Sequence, residues 1–232
     1  MGIINITPDS FSGDGLLNSE LSIQDKYKIA ENLGIEFLDI GCVSTRPKYK
    51  KIKTEEEIER FDFFLKNINY KFKYSIDSTN INVIEKAIEA DFLVINDVSG
   101  LKDKKIINKA KFAEVGLIVV HRNPSSRDIH EIKKYKDVVE EVKYQLDETI
   151  ETLISQGIKE SQIAIDPGLG FGKKVEDSAK LLLEINKLCD KFPLIVGYSK
   201  KKFRNLISLS DKDLLNFCFD SGVSLVRLHL DN

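Results

Sequence analysis

Short apolar runs alternate with longer amphipathic segments along the whole chain. Eight runs have the length of β-strands, and they span residues 2–7, 37–41, 74–77, 92–97, 116–121, 163–166, 193–198 and 224–229. Segments with helical periodicity fill the gaps, at residues 19–33, 54–68, 80–90, 102–114, 134–156, 177–191 and about 200–220. Strands that alternate with helices form parallel sheets, and eight of them predict an α/β fold, the (β/α)8 TIM barrel.

Local signals predict where several helices begin and end. Thr54 followed by Glu57 has the pattern of a capping box at the start of the second helix. Asn80 is a favoured N-cap residue and precedes the third helix. Gly34 predicts the end of the first helix, in which the spacing places Leu33 on the apolar face.

The sequence shows no internal repeat, low-complexity tract or linker, so we predict a single domain over residues 1–232. The eighth predicted strand ends at His229, and Asn232 is the last residue. We therefore expect eight strands with only seven helices, and an apolar surface on the last strand that a partner chain covers or that stays exposed.

Composition narrows the class of protein. The formal net charge of 35 − 37 = −2 offers no electrostatic case for binding nucleic acid or a membrane surface. No apolar run approaches the roughly 18 residues of a membrane span, and no signal peptide precedes the first strand. The three cysteines form no CxxC pair and the three histidines have no zinc spacing, which argues against disulfides and structural metal. We expect a cytoplasmic protein.

Polar side chains lie at the ends of most predicted strands, Asn5 among them, and Asp77, Asn96 and Asp166 form the most specific set. In a (β/α)8 barrel the carboxyl ends of all strands lie on the face that carries the active site. Two carboxylates and a carboxamide there match the ring N–H and amino groups of a planar heterocycle. The alternative is that such residues only cap helices, as Asp77, Asn80 and Asp97 each could.

Residues 166–173, DPGLGFGK, form a glycine-rich turn without Walker A or dinucleotide-loop spacing. In that turn Phe171 is available to stack on a flat ligand and Lys173 to add charge. A lysine triplet at 200–202 follows the seventh strand, where it is either a solvated surface run or an anion site at a helix start. Arg227 and His229, two residues apart, lie on one side of the last strand, next to where such barrels often hold phosphate.

Seven segments, taken in order, resemble the dihydropteroate synthase family over the whole chain. They are MGIINITPDSFS at 1–12, STRP at 44–47, IDS at 76–78, INDVSG at 95–100, DPGLGFGK at 166–173, VGYS at 196–199 and RLH at 227–229. The first segment and the Asp-Pro-Gly segment are specific to the family, whereas the others are weak alone.

The resemblance implies that 6-hydroxymethyl-7,8-dihydropterin diphosphate condenses with 4-aminobenzoate, giving 7,8-dihydropteroate and pyrophosphate. It implies pterin contacts from Asp77, Asn96, Asp166 and Lys201. It also implies that Arg227 and His229 bind the diphosphate with Mg2+, and that Asn5 helps to coordinate this metal. The substrate-binding set further includes Thr45, Phe171 and Gly197, and the catalytic set comprises Asp166, Lys201 and Arg46.

Several positions depart from the family pattern. Cys42 and Val43 replace a Gly-Glu pair, Arg122 replaces a methionine on the predicted floor of the pterin pocket, and Lys200 replaces an arginine. The seventh helix is shortened and the eighth, which usually helps to build the family's dimer, is absent, so a homodimer is left open. Two alternatives stay open as well: a pterin-binding methyltransferase domain, and a paralogue that binds pterin without turnover.

Overall fold

The computed structural model describes residues 1–6, 20–43, 52–123, 128–188 and 191–230, without the side chains of residues 20–22. Strands and helices alternate from the first residue to the last element. The strands are β1 (Gly2–Asn5), β2 (Phe37–Gly41), β3 (Lys73–Asp77), β4 (Val94–Asp97), β5 (Gly116–Val120), β6 (Ile163–Asp166), β7 (Ile195–Gly197) and β8 (Leu225–His229). The helices are α1 (Glu20–Asn32), α2 (Thr54–Lys66), α3 (Ile81–Glu89), α4 (Lys104–Ala113), α5 (Val138–Ser155), α6 (Val175–Leu183) and α7 (Asp211–Asp220).

The chain divides into two compact units. The first contains the described residues from Met1 to Asn96 together with His229 and Leu230, and the second runs from Asp97 to Leu228. In the first unit β1 to β4 pair in parallel, each with the next along the chain. In the second unit β5 pairs with β6 and β7 with β8, both in parallel.

An aromatic cluster forms much of the core of the first unit. The Tyr74 and Phe92 rings stack with centroids 5.1 Å apart, and Phe61 meets Phe92 edge-on at 5.5 Å. Phe61 and Phe64 project from α2 and are fully buried. Because each buried aromatic side chain stabilises the fold by about 1.5–3 kcal/mol, this cluster holds α2 against β3 and the start of β4.

The core of the second unit depends on one face of α5. Its buried residues recur at helical spacing, so a single apolar stripe packs inward: Val138, Val139, Val142, Leu146, Ile150 and Leu153.

A membrane-spanning helix needs a long apolar segment, and none of the helices in the described part of the chain has one.

Several predicted helix ends differ from the structure. The predicted capping box is wrong, because Thr54 is already the first helical residue of α2 and Lys53 is the N-cap, without a side-chain cap bond. The predicted burial of Leu33 is also wrong: α1 ends at Asn32, and Leu33 lies in the turn that Gly34 makes with φ +64°, where it is 64% exposed. Helical periodicity does not reveal this turn, because it describes side-chain faces and not backbone ends.

The last two predicted helices are each divided by the structure. The segment 177–191 covers α6 from its third residue, since α6 already begins at Val175, and then a 3₁₀ helix at Ile185–Leu188. The segment 200–220 contains a 3₁₀ helix at Lys202–Leu206 and then α7, whose N-cap Ser210 accepts a hydrogen bond from the Asp213 backbone N–H. Among the described residues, β8 is the last element.

The predicted cap of the third helix is confirmed, and it allows a stability test. The Asn80 side chain accepts a hydrogen bond from the Asn82 backbone N–H at 3.1 Å, and its Nδ2 donates to Glu57 Oε2 at 3.0 Å. We expect Asn80→Ala to lower the free energy of unfolding by about 1–2 kcal/mol, measured by urea denaturation. Asn82→Ala, on the exposed side of the same helix turn, should stay within about 0.5 kcal/mol of the unsubstituted protein. Equal effects of the two substitutions would contradict the capping role.

Candidate functional site

The ends of the first four strands lie in one row. Asn5 is in register with Gly41, Gly41 with Asp77, and Asp77 with Asn96. Because residues in register point to the same face of a parallel sheet, the three polar side chains share one face at the carboxyl ends of the strands. A Cβ at Gly41 would lie 3.1 Å from Asn5 Oδ1, so glycine there makes room between the polar side chains. The structure thus brings Asn5, Asp77 and Asn96 together.

Helix capping does not explain these aspartates. Asn80, not Asp77, is the N-cap of α3. Asp103, not Asp97, is the N-cap of α4, and Asp97 instead accepts hydrogen bonds from the backbone N–H and hydroxyl of Ser99. Asp77 therefore ends its strand without a capping role.

A second polar layer lies below this row and is not among the features predicted from the sequence. Asp39 is in register with Ser75, each two residues before the end of its strand, and both are fully buried. Asp39 Oδ1 accepts the Ser75 hydroxyl at 2.6 Å, and Asp39 Oδ2 accepts Asn96 Nδ2 at 3.1 Å. The available signal was a charged residue in the middle of the apolar run 37–41, which a buried strand does not tolerate without partners.

In the second unit the glycine-rich turn begins at Asp166, the last residue of β6. The Asp166 side chain is buried, and its Oδ1 accepts the Gly168 backbone N–H at 2.7 Å. Gly168 has φ +63°, and a Cβ there would lie 2.0 Å from the His121 carbonyl oxygen. Only glycine therefore allows the turn to pass this close to the end of β5.

Lys173 closes the same turn and is buried, contrary to the expectation that it adds charge for a ligand. Its Nζ donates to the carbonyl oxygens of Gly168 and Phe171, at 3.0 and 3.2 Å, and lies 2.8 Å from His121 Nδ1. Three acceptors around one nitrogen match the three N–H groups of an ammonium. Burial lowers the pKa of Lys173 to about 7, Asp166 opposes that shift, and Lys201 adds to it. Lys173 thus fastens the turn to β5.

His121 links Lys173 to α5. Its Nε2 lies 2.9 Å from Gln145 Oε1, which is an acceptor, so Nε2 carries the proton and Nδ1 accepts from Lys173. Burial, with the nearby Lys173 charge, lowers the pKa of His121 to about 3. The imidazole is therefore neutral at pH 7. The spacing of the histidines in the sequence bears only on zinc binding and does not reveal this contact.

Within the lysine triplet, Lys201 contacts the glycine-rich turn. Its Nζ donates to the Leu169 carbonyl at 2.5 Å and lies 4.9 Å from the centroid of the Phe171 ring. Lys200 and Lys202 are exposed, in agreement with the alternative that the triplet is a solvated surface run. The expected helix start is only a 3₁₀ helix of five residues, Lys202–Leu206, and too short to supply a helix dipole for an anion.

The remaining predicted residues lie on β7, β8 and the loop after β2. Arg227 is buried and in register with Gly197, whose added Cβ would lie 3.6 Å from Arg227 Cβ. His229 is half-buried and two residues further along β8, so it faces the same side of the strand. The predicted Thr45 and Arg46 lie outside the described residues.

Cys42 and Arg122, which depart from the family pattern, have well-defined contacts. Cys42 is buried, its carbonyl accepts Arg60 Nη1 at 2.9 Å, and burial raises the pKa of its thiol. Arg122 lies against the loop after β4, because a Cβ at Gly100 would be 3.3 Å from Arg122 Cγ. Burial raises the pKa of Asp97, and the nearby Arg122 charge opposes that shift. Arg122 is thus placed beside the β4–α4 loop.

The described residues contain no group of three or more His, Cys, Asp or Glu that could hold a metal ion. Mg2+ does not need such a group when its substrate carries phosphates, because one or two protein oxygens then suffice beside phosphate oxygens and water. The carboxamide oxygen of Asn5, half-buried at the end of β1, is a hard oxygen donor of this type. The residues present therefore fit a Mg2+ ion that arrives with a phosphorylated substrate.

Comparison with known proteins identifies the class of protein to which the chain belongs. Residues 1–229 match the family model described as "Pterin binding enzyme". The chain therefore belongs to the pterin-binding enzymes. The chain is 33% identical to the dihydropteroate synthase of Clostridium beijerinckii over 211 residues, which are 89% of this chain and 76% of that protein. It is thus a member of the dihydropteroate synthase family.

Solved structures of dihydropteroate synthases have the same fold as this chain. Dihydropteroate synthase of Xanthomonas albilineans, solved with 4-aminobenzoic acid, has a TM-score of 0.85 and 30% identity, covering 98% of this chain and 85% of that one. The enzyme of Anaplasma phagocytophilum, solved with 6-hydroxymethylpterin-monophosphate, has a TM-score of 0.82 and 32% identity, covering 98% and 91%. The predicted (β/α)8 barrel fold is confirmed by this likeness.

Proposed function

We propose that the chain is a dihydropteroate synthase, which condenses 6-hydroxymethyl-7,8-dihydropterin diphosphate with 4-aminobenzoate to give 7,8-dihydropteroate and pyrophosphate. The observation that carries the proposal is the row of strand ends in the first unit, in which Asp77 and Asn96 stand side by side. A carboxylate beside a carboxamide offers the acceptors that a 2-amino-4-oxopyrimidine edge requires. The family membership supplies the reaction to which this edge belongs.

The pterin contacts are assigned to Asp77, Asn96 and Asp166. Asn96 is fully buried, and its Oδ1 has no hydrogen-bond partner among the described residues. A buried acceptor left in this way costs about 1–3 kcal/mol, and a ligand N–H relieves that cost on binding. Binding of the pterin therefore removes the energetic cost of the unsatisfied Asn96 oxygen in the folded chain.

The reaction exchanges one bond at the exocyclic carbon of the pterin. The C–O bond to the diphosphate breaks, with its electron pair leaving on the diphosphate oxygen, and the amine nitrogen of 4-aminobenzoate forms the new C–N bond. That nitrogen then loses a proton to solvent or to the released pyrophosphate. Positive charge develops on the pterin and negative charge on the leaving group, so electrostatic stabilisation and positioning contribute most.

The chain supplies groups for both charges. The buried Asp166 carboxylate, oriented by the Gly168 N–H, is assigned to stabilise the positive pterin. Arg227 and His229 are assigned to the diphosphate, and Lys201 to the pterin, with Phe171 beside it. Asn5 would hold Mg2+ together with the substrate, and the ion would supply positive charge to offset part of the diphosphate charge. Thr45 and Arg46 complete the proposed set, and we place the reaction in the cytoplasm.

The proposal is tested by pyrophosphate release from the purified protein with pterin diphosphate and Mg2+, with and without 4-aminobenzoate. Release should depend on 4-aminobenzoate and yield dihydropteroate. Pterin binding without release would overturn the proposal in favour of a non-catalytic paralogue. Methyl transfer from a methylated folate, without pyrophosphate release, would point to the methyltransferase alternative.

We expect Asp166→Ala to reduce kcat/KM by about 100-fold or more, because the substitution removes a preorganised charge beside the developing cation. The initial rate of pyrophosphate release measures this effect. Asp147 is an exposed residue on α5, and Asp147→Ala serves as the control. This variant should keep the rate within about twofold of that of the unsubstituted protein. A fully active Asp166→Ala variant would exclude the assigned role.

A further inference from the structure

The buried carboxylate of Asp39 lies directly behind Asn96. Asp39, Ser75 and Asn96 each have no exposed surface, and they come from three adjacent strands of the first unit. Asp39 Oδ2 accepts Asn96 Nδ2 at 3.1 Å, and Asp39 Oδ1 accepts the Ser75 hydroxyl at 2.6 Å. Burying a carboxylate this deeply is costly unless hydrogen bonds stabilise it, so Asp39 depends on its bonds to Ser75 and Asn96.

The carboxylate determines which way the Asn96 amide faces. An amide group has an oxygen that accepts and a nitrogen that donates, and the hydrogen-bond network decides their positions. Because a carboxylate accepts hydrogen bonds, Nδ2 must point at Asp39, and Oδ1 then points away from it. That oxygen is the buried atom without a partner among the described residues.

We propose that Asp39 is a positioning residue, which holds the Asn96 amide so that its oxygen accepts an N–H from the substrate heterocycle, and that Ser75 orients Asp39 for this purpose. The proposal rests on the proposed function, because it names the recognition of that function's pterin. If the amide reversed, its NH2 group would face the ligand N–H, and two donors would oppose each other. A site built around one buried hydrogen bond discriminates strongly against a ligand that cannot make it.

The register of the sheet supports the inference. Asn96 lies in the row with Gly41 and Asp77, whereas Asp39 and Ser75 lie two residues earlier on their strands. Because alternate residues of a strand share a face, Asp39 reaches Asn96 from the layer beneath the row. It can therefore orient the amide without occupying the place of a ligand.

The test uses the full chain and four variants: Asp39→Asn, Ser75→Ala, Ser75→Thr and Tyr74→Phe. Tyr74→Phe is the matched control, because Tyr74 neighbours Ser75 on β3, faces the other side of the strand, and loses a hydroxyl that donates to the Asn69 carbonyl at 2.7 Å. Calorimetry measures the affinity for 6-hydroxymethylpterin monophosphate. Steady-state assays measure kcat and the KM for each substrate, and urea denaturation confirms folding.

For Asp39→Asn we expect affinity for the pterin monophosphate to fall by about 10-fold to 100-fold, since the neutral amide no longer fixes the direction of Asn96. The KM for the pterin diphosphate should rise in parallel, and the KM for 4-aminobenzoate should stay within about twofold. Ser75→Ala should show a smaller loss of the same kind, and Ser75→Thr, which keeps the hydroxyl, should restore it. Tyr74→Phe should bind pterin as the unsubstituted protein does.

Unchanged pterin affinity in folded Asp39→Asn or Ser75→Ala overturns the proposal. It is overturned equally if Tyr74→Phe loses as much pterin affinity, or if both KM values rise together, because these results indicate general damage. If Asp39→Asn does not fold, the Ser75 pair decides the question. Pterin binding without pyrophosphate release in the unsubstituted protein would refute only the proposed function, because the binding data would still test Asp39. Absence of pterin binding would overturn both.

Discussion

Lys173→Met should destabilise the protein by roughly 3 kcal/mol or more, because three buried acceptors lose their donor at once. The acceptors are the carbonyl oxygens of Gly168 and Phe171 and the Nδ1 atom of His121. Methionine has a similar length but no N–H group, so the cavity stays filled and the hydrogen bonds are lost. The free energy of unfolding from urea titration measures the effect.

The same substitution should also lower turnover by about 100-fold, since a small displacement of a reacting group is enough for such a loss. The turn that Lys173 fastens also orients Asp166, through the Gly168 N–H at 2.7 Å. Lys174→Met is the matched control, because Lys174 is the adjacent lysine and is exposed. It should change stability by less than about 0.5 kcal/mol. If the two methionine variants are equally stable and active, Lys173 has no such structural role.

Acid should weaken the folded state through His121. Burial and the Lys173 charge lower the pKa of His121 to about 3 in the folded protein, from an ordinary value of 6.5. Between these two values the unfolded chain binds a proton that the folded chain does not. The stabilising contribution of the neutral imidazole is therefore complete above pH 6.5 and is lost as the pH falls towards about 3.

His121→Asn isolates this contribution. The asparagine oxygen can still accept from Lys173, and the group no longer titrates. Between pH 6 and 4, within the window set by the two pKa values, we expect the unfolding free energy of the unsubstituted protein to fall more steeply than that of the variant, by about 1.4 kcal/mol per pH unit at most. Parallel pH profiles from urea denaturation would show that His121 is not held neutral. Above pH 7 the two profiles should already run parallel as far as His121 is concerned.

The two lysine motifs have similar sequence patterns but different environments in the structure. Lys173 and the 200–202 triplet are both basic residues after a strand, and their local patterns gave similar expectations. Only the structure separates a buried lysine that fastens a turn, a half-buried one beside Phe171, and two exposed ones. Burial depends on residues brought in by folding, such as His121, which lies 52 positions from Lys173 in the chain.

The order of strands and helices, and the polar residues that end the strands, follow from local sequence alone. This follows because hydrophobic periodicity, glycine turns and strand-terminal side chains are properties of a few neighbouring residues. Strand pairing then placed Asn5, Asp77 and Asn96 in one row, as the pattern predicted for a parallel sheet.

The orientation of those side chains depends on contacts between segments that are distant in the chain. Asp39 and Asn96 are 57 positions apart, and the direction of the Asn96 amide depends on a carboxylate from another strand. The capping box at Thr54 failed for a similar reason, since the backbone enters α2 one residue earlier than the local pattern implies. Hydrogen-bond partners are set by register and packing, which join segments that no local window contains.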